Sequence, residues 1–127
     1  MKKISIYLLL ILIILPSVVF AAKGRVISVA TNPYYDSLCK TNDSNITSCA
    51  VIKVTGHIKE GCAQSNWWSY ALNNTTVGGR NTLSLLLTAL ATQKRVHIDG
   101  YTGSDACEIF PGVVSLRNLY IDDPMLN

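Results

Sequence analysis

Histidine is scarce in this chain. There are two, and the four cysteines form neither a CxxC pair nor a cluster with them. That argues against a zinc site, whose ligands come in such spacings, and no metal or other cofactor is expected. No Ser-His-Asp signature, P-loop or glycine-rich phosphate cradle is present. Charge is also low: 15% of residues are charged and the net charge is +3, falling to +1 once Lys2 and Lys3 are set aside. A surface so nearly neutral does not suit a protein that holds nucleic acid through a broad basic face. Beyond residue 21 no segment approaches the about 20 apolar residues of a membrane span. There is no internal repeat and no low-complexity tract.

What is present first is a leader. Lys2 and Lys3 precede an apolar run, Ile4–Leu15, broken by Ser5. Pro16 follows, and Val19 and Ala21 place small residues at the −3 and −1 positions of a cleavage site. Residues 1–21 are read as a signal peptide and 22–127 as a single domain of 106 residues, secreted or periplasmic after cleavage. The alternative is an uncleaved anchor over Ile4–Phe20. The positive mean hydropathy of +0.28 is mostly a property of this leader.

All four cysteines lie beyond the leader, and an even count in a small exported chain reads as two disulfides. Three pairings are possible. The turn-rich KTNDSNITS between Cys39 and Cys49 favours Cys39–Cys49 closing a hairpin, with Cys62–Cys107 tying a middle loop to a late one.

The hydrophobic pattern alternates first and then changes period. Gly24–Thr31 reads as a strand and Asn32-Pro33 as a turn. Cys49–Ile58 reads as a strand with Ala50, Ile52, Val54, Gly56 and Ile58 facing one way and Val51, Lys53, Thr55 and His57 the other. Trp67–Leu72 is read as a short strand. Leu83, Leu86, Leu87 and Leu90 then have helical spacing, with Asn81 as the expected cap after Gly78-Gly79 and Lys94-Arg95 after the C-terminus. Arg95–Tyr101 and Val113–Ile121 are strands, the last with a bulge near Arg117-Asn118, where the alternation slips. The expected fold is mainly β with one central α-helix, a small OB-type barrel stapled by two disulfides.

The helix carries no charge from Asn81 to Gln93. A helix with one face in water normally does. The side away from the leucine stripe, Ser84, Leu85, Thr88, Ala89 and Thr92, is therefore a candidate oligomer contact. The plainer readings are cover by loops of the same chain, or a Ser/Thr-rich exposed face.

PYYDSLC at 33–39, SCAV at 48–51 and SLLLTALATQKRVHIDGY at 84–101 resemble the B subunits of bacterial toxins with a pentameric B ring. The likeness is greatest to the subtilase-cytotoxin and pertussis-like type, and more distant to the Shiga type. It spans about two thirds of the chain after the leader. The tract 57–80 is longer than in the subtilase type, and 105–121 departs from its ending. The resemblance implies an OB fold, a homo-pentamer with helices around a central pore, an enzymatic A subunit as partner, and binding of host glycans.

Candidate chemistry lies in the aromatics. Tyr34, Tyr35, Trp67, Trp68 and Tyr70 sit among Asn- and Ser-rich loops, where ring faces and amides suit sugars. Their plainer role is packing. Trp67 and Trp68, adjacent on a strand, would point to opposite sides, one into the core. His57 near Glu60, or His97 with Asp99, could form an acid–base pair, and Asp105 with Glu108, flanking Cys107, could form a glycosidase-type carboxylate pair. The plainer reading is preferred for all of these: surface histidines among polar neighbours, and carboxylates that solubilise a short loop. Sequons at Asn42, Asn45, Asn73 and Asn74 matter only in a host that glycosylates. The chain is read as a binding protein and not an enzyme: a glycan-binding toxin-B-like protein first, a periplasmic or secreted inhibitor of lysozyme-inhibitor type second.

Overall fold

A computed structural model describes residues 21–31, 39, 46, 48–59, 61–103 and 106–122. The strands are β1 (Ala21–Ala30), β2 (Cys49–Val54), β3 (Tyr70–Asn73), β4 (Arg95–Gly100) and β5 (Val114–Ile121), with helix α1 (Val77–Thr92) between β3 and β4. The strands close on themselves in the order β1-β2-β3-β5-β4, with β4 returning to β1. All neighbours are antiparallel except β3 and β5, which run parallel.

β1 closes the ring because it serves two partners. Ala21–Arg25 pair with β4, and Val26–Ala30 pair with β2 past a register shift between Val26 and Ser28. The bend is pinned by the residue after β2. Thr55 Oγ1 accepts from the Arg25 amide at 2.8 Å, and the Thr55 amide donates to the Arg25 carbonyl at 3.0 Å. Gly24 makes the approach possible, since a Cβ there would collide with the Thr55 carbonyl.

Two apolar clusters result. The larger fills the ring, with Val26, Ile52, Tyr70, Leu86, Val96 and Ile98 among its buried side chains. The smaller lies on the other side of β2 and β3, where Val51 and Ala71 pack with Ile46, Phe110, Val113 and the Cys39–Cys49 bridge. Val51 thus lies on the opposite side from Ile52, as the alternation predicts, and β2 is buried on both faces because a second core covers that side. β2 also stops at Val54. Gly56 turns with φ +73° and Ile58 is 70% exposed, so neither continues the inward row.

Both expected disulfides form, Cys39–Cys49 and Cys62–Cys107. The second closes a span of 45 residues, and the chain-entropy account assigns such a bridge about 4 kcal/mol. β4 alternates along its length, with Val96, Ile98 and Gly100 buried. The expected bulge in β5 is present: Asp99 pairs with Asn118 while Gly100 pairs with Leu116, leaving Arg117 without a partner position.

The helix begins earlier than the sequence suggests. Thr76 and not Asn81 is the cap, its Oγ1 accepting from the Gly79 amide at 3.0 Å. Gly79 is in the first turn because it packs on Asn73, where a Cβ would meet the carbonyl oxygen. The two glycines are therefore helix and not a preceding break. Gly79, Leu86 and Ala89 are buried, with Leu83 and Leu90 packed beside them. Leu87 leaves the expected stripe and is 48% exposed, being about 100° around the axis from Leu86. Leu86→Ala should therefore cost about 2–5 kcal/mol in urea denaturation, whereas Leu87→Ala should cost under about 1 kcal/mol. Equal losses would contradict this helix register.

Candidate functional site

The end of β2 and the start of β3 build an open cleft of about 260 Å³. Its wall begins at Ser65, whose Oγ accepts from the amides of both Trp67 (3.2 Å) and Trp68 (2.9 Å). This local turn, not a strand, separates the two indoles. The expected strand over Trp67–Leu72 is therefore shorter, Tyr70–Asn73. Trp67 stands 59% exposed, and Trp68 packs against the smaller core. Their rings meet edge to face at 6.4 Å. The preceding loop is held from behind, since the Gln64 and Ser65 amides both donate to the Gly112 carbonyl (2.8 and 3.0 Å).

Cations surround the exposed indole. Lys53 Nζ lies 3.5 Å from the Trp67 ring centroid, a cation–π contact. Lys59 Nζ donates to Asn66 Oδ1 at 2.9 Å. His57 completes the lining, its ring 5.0 Å from that of Tyr70. The described lining residues contain no carboxylate. An aromatic face ringed by ammonium, amide and hydroxyl groups can stack an apolar sugar face and bond its hydroxyls.

Ser69, which sequence reasoning passed over, sets the floor. Its buried Oγ accepts from the Val54 amide at 3.0 Å, and its amide donates to the Ile52 carbonyl at 2.8 Å. This satisfies the backbone where β2 stops pairing. Nothing in its spacing marks it, because the partner lies fifteen residues away.

Of the other candidates, Tyr70 is corrected: it is 1% exposed and belongs to the core, not to the ligand wall. Burial, helped by the Asp99 carboxylate, pushes its hydroxyl up to about 12. Tyr34, Tyr35, Glu60 and Asp105 lie outside the described residues. His97 Nε2 is 2.9 Å from Asp99 Oδ1 on the outer side of β4, beside the Tyr120 ring, while His57 sits in the Trp67 cleft. The structure does not bring the two histidines into one site. Glu108 lines a different, larger cleft of about 610 Å³, between the start of α1 and the 101–117 segment, with Tyr101 and Arg117. That cleft was not visible in the sequence, because three distant segments build it.

The outer face of α1 is the second feature. Ser84, Leu85, Thr88 and Thr92 are exposed as expected, but Ala89 is fully buried in the core and cannot be an outer contact. Leu87 takes its place. The hydroxyls are turned inward: Ser84 donates to the Arg80 carbonyl, Thr88 to Ser84 and Thr92 to Thr88, at 3.1, 3.0 and 2.7 Å. With their donors satisfied within the helix, these residues offer mostly methyl and methylene surface between Leu85 and Leu87.

No protein-family model, no curated protein and no solved structure matches this chain.

The Tyr70 shift has a pH consequence. In the unfolded chain the phenol ionises near 10 and in the native state near 12. The unfolded state therefore loses its proton first, so the contribution is complete below pH 10 and is lost as pH rises towards 12. Its size is on the order of 2–3 kcal/mol. Tyr70→Phe should flatten the fall in stability between pH 10 and 12, measured by denaturant titration. A fall as steep as in the wild type would remove Tyr70 as its source.

Proposed function

We propose that the protein is a secreted glycan-binding protein of toxin-B-subunit type, on an OB-type barrel, that docks to host-cell carbohydrate. The observation that carries this reading is the exposed Trp67 indole, walled by Lys53, Lys59 and Asn66 and held by the Ser65 turn. The ring order, with parallel closure of β3 on β5 and one helix between β3 and β4, supports an OB-type barrel. Two disulfides fit an oxidising compartment, and no described helix is long and apolar enough to cross a membrane. Cleavage after Ala21 leaves Ala22, buried and paired with Ile98, as the first residue.

Glycan-array and calorimetric titration test the site. Trp67→Ala should keep the wild-type melting temperature and weaken glycan binding at least about tenfold, about 1.4 kcal/mol. Trp68→Ala should instead lose about 2–3 kcal/mol of stability, less than the ~3–5 of a fully buried Trp. Full binding by a folded Trp67→Ala protein would reject this wall as the sugar site.

The same reading makes the outer face of α1 the contact between subunits of a homo-pentamer, to which an enzymatic A subunit would attach. Exposed Leu85 and Leu87, the inward-bonded hydroxyls and the lack of charge support it. Leu85→Glu should convert the oligomer to a folded monomer by native mass measurement, because a desolvated, unpartnered carboxylate is costly. A wild-type protein that is already monomeric at micromolar concentration would remove the ring, and with no glycan bound would leave an inhibitor-like role.

A further inference from the structure

The outer surface where β1 meets β4 carries cations that the fold itself does not need. Arg25 and Arg95 are direct cross-strand partners. Opposed side chains on neighbouring strands sit about 5 Å apart at Cβ, and like charges placed so destabilise a sheet. Lys23, on the same side of β1, and Lys94, next to Arg95, extend the group, and all four are exposed. Four of the nine Lys and Arg after residue 21 are thus gathered at one junction. Among the described residues none of the four has an ion-pair partner, the ion pair there being His97–Asp99. Among the described residues the neighbouring acids are Asp122, just past the end of β5 with its amide donating to the Arg95 carbonyl, and Asp99, already held by His97.

We propose that Lys23, Arg25, Lys94 and Arg95 form a binding site for a linear sulfated polysaccharide, separate from the Trp67 cleft. Two guanidinium groups side by side can each bond a sulfate through paired N–H donors, with the lysines adding charge at the flanks. A linear chain suits the site better than an anionic membrane. The cationic strip is narrow, flanked by Asp99 and Asp122, and the rest of the chain after residue 21 has five Lys and Arg against eight Asp and Glu. An extended anionic plane would meet those carboxylates as well. The proposal rests on export of the protein but not on the Trp67 site.

Titration of the protein with a defined heparin oligosaccharide tests it. Binding should be measurable at 50 mM NaCl and weaken with salt, with a log–log slope of roughly −3, taking about 0.7–0.9 per neutralised charge. Arg25→Gln/Arg95→Gln should weaken binding at least tenfold and reduce the slope by about 1.5. Its melting temperature should not fall, because a repulsive pair has been removed. Should the double variant melt early, Arg95→Gln alone, folded as wild type, should still weaken binding several-fold. Trp67→Ala should bind the oligosaccharide as wild type does, which separates the two sites. The proposal is overturned if the arginine variants bind unchanged, if Trp67→Ala abolishes binding, if phosphatidylserine vesicles bind and heparin does not, or if nothing binds at 50 mM NaCl.

Discussion

The shared strand β1 is the constraint on which the other features depend. Its first half pairs with β4 and its second half with β2, so one strand joins both sides of the ring. A strand can change partners only by bending, and the register shift after Val26 supplies the bend. The close approach of Thr55 to Gly24 holds it. The same hydrogen bonds draw the chain after β2 across β1 and end β2 at Val54. Ser69 then takes up the backbone groups left at that end. The Trp67 cleft exists because β2 is short, and β2 is short because its successor residue is needed at the β1 corner.

The helix answers a different requirement. Its inner face is narrow, made of Gly79, Leu83, Leu86, Ala89 and Leu90, and Gly79 lets the first turn rest on Asn73. That leaves about half of the circumference outside. In water such a surface is ordinarily charged. Here the hydroxyls bond back to the helix and the leucines stand out, so solvation is poor and association would relieve it. The Arg25–Arg95 pair shows the opposite imbalance, like charges side by side with no ion-pair partner among the described residues. Apolar surface in one place and uncompensated cations in another are both features that intramolecular stability does not explain.

Much of the architecture was legible because it follows local rules. The alternation of β4, the slip in β5 at Arg117 and the helical spacing after Gly79 are set by the direction in which successive side chains leave the backbone. The pairing of Cys39 with Cys49 followed from the turn-rich segment between them. The errors have one common source. Alternation puts Val51 on the side opposite Ile52, where it is, but it reports sides and not what covers them, so the second core behind β2 goes unseen. Tyr70 looked like part of an aromatic wall because it neighbours Trp68 in the chain, yet its strand begins there and carries it into the ring. Leu87 fitted the leucine stripe by spacing, but only the packing of α1 on β1 and β3 decides which hundred degrees are buried.

The sequence by itself therefore determined the element types, the position of the bulge and the cysteine framework, since each depends on residues close together in the chain. Tertiary structure alone decided that β2 has two buried faces, that Ser65 turns Trp67 outward and Ser69 closes the floor beneath it, and that Arg25 stands opposite Arg95. Those outcomes depend on strand register and on contacts between segments far apart in sequence. A register is settled by the whole ring closing at once, and no local pattern of residues carries that information.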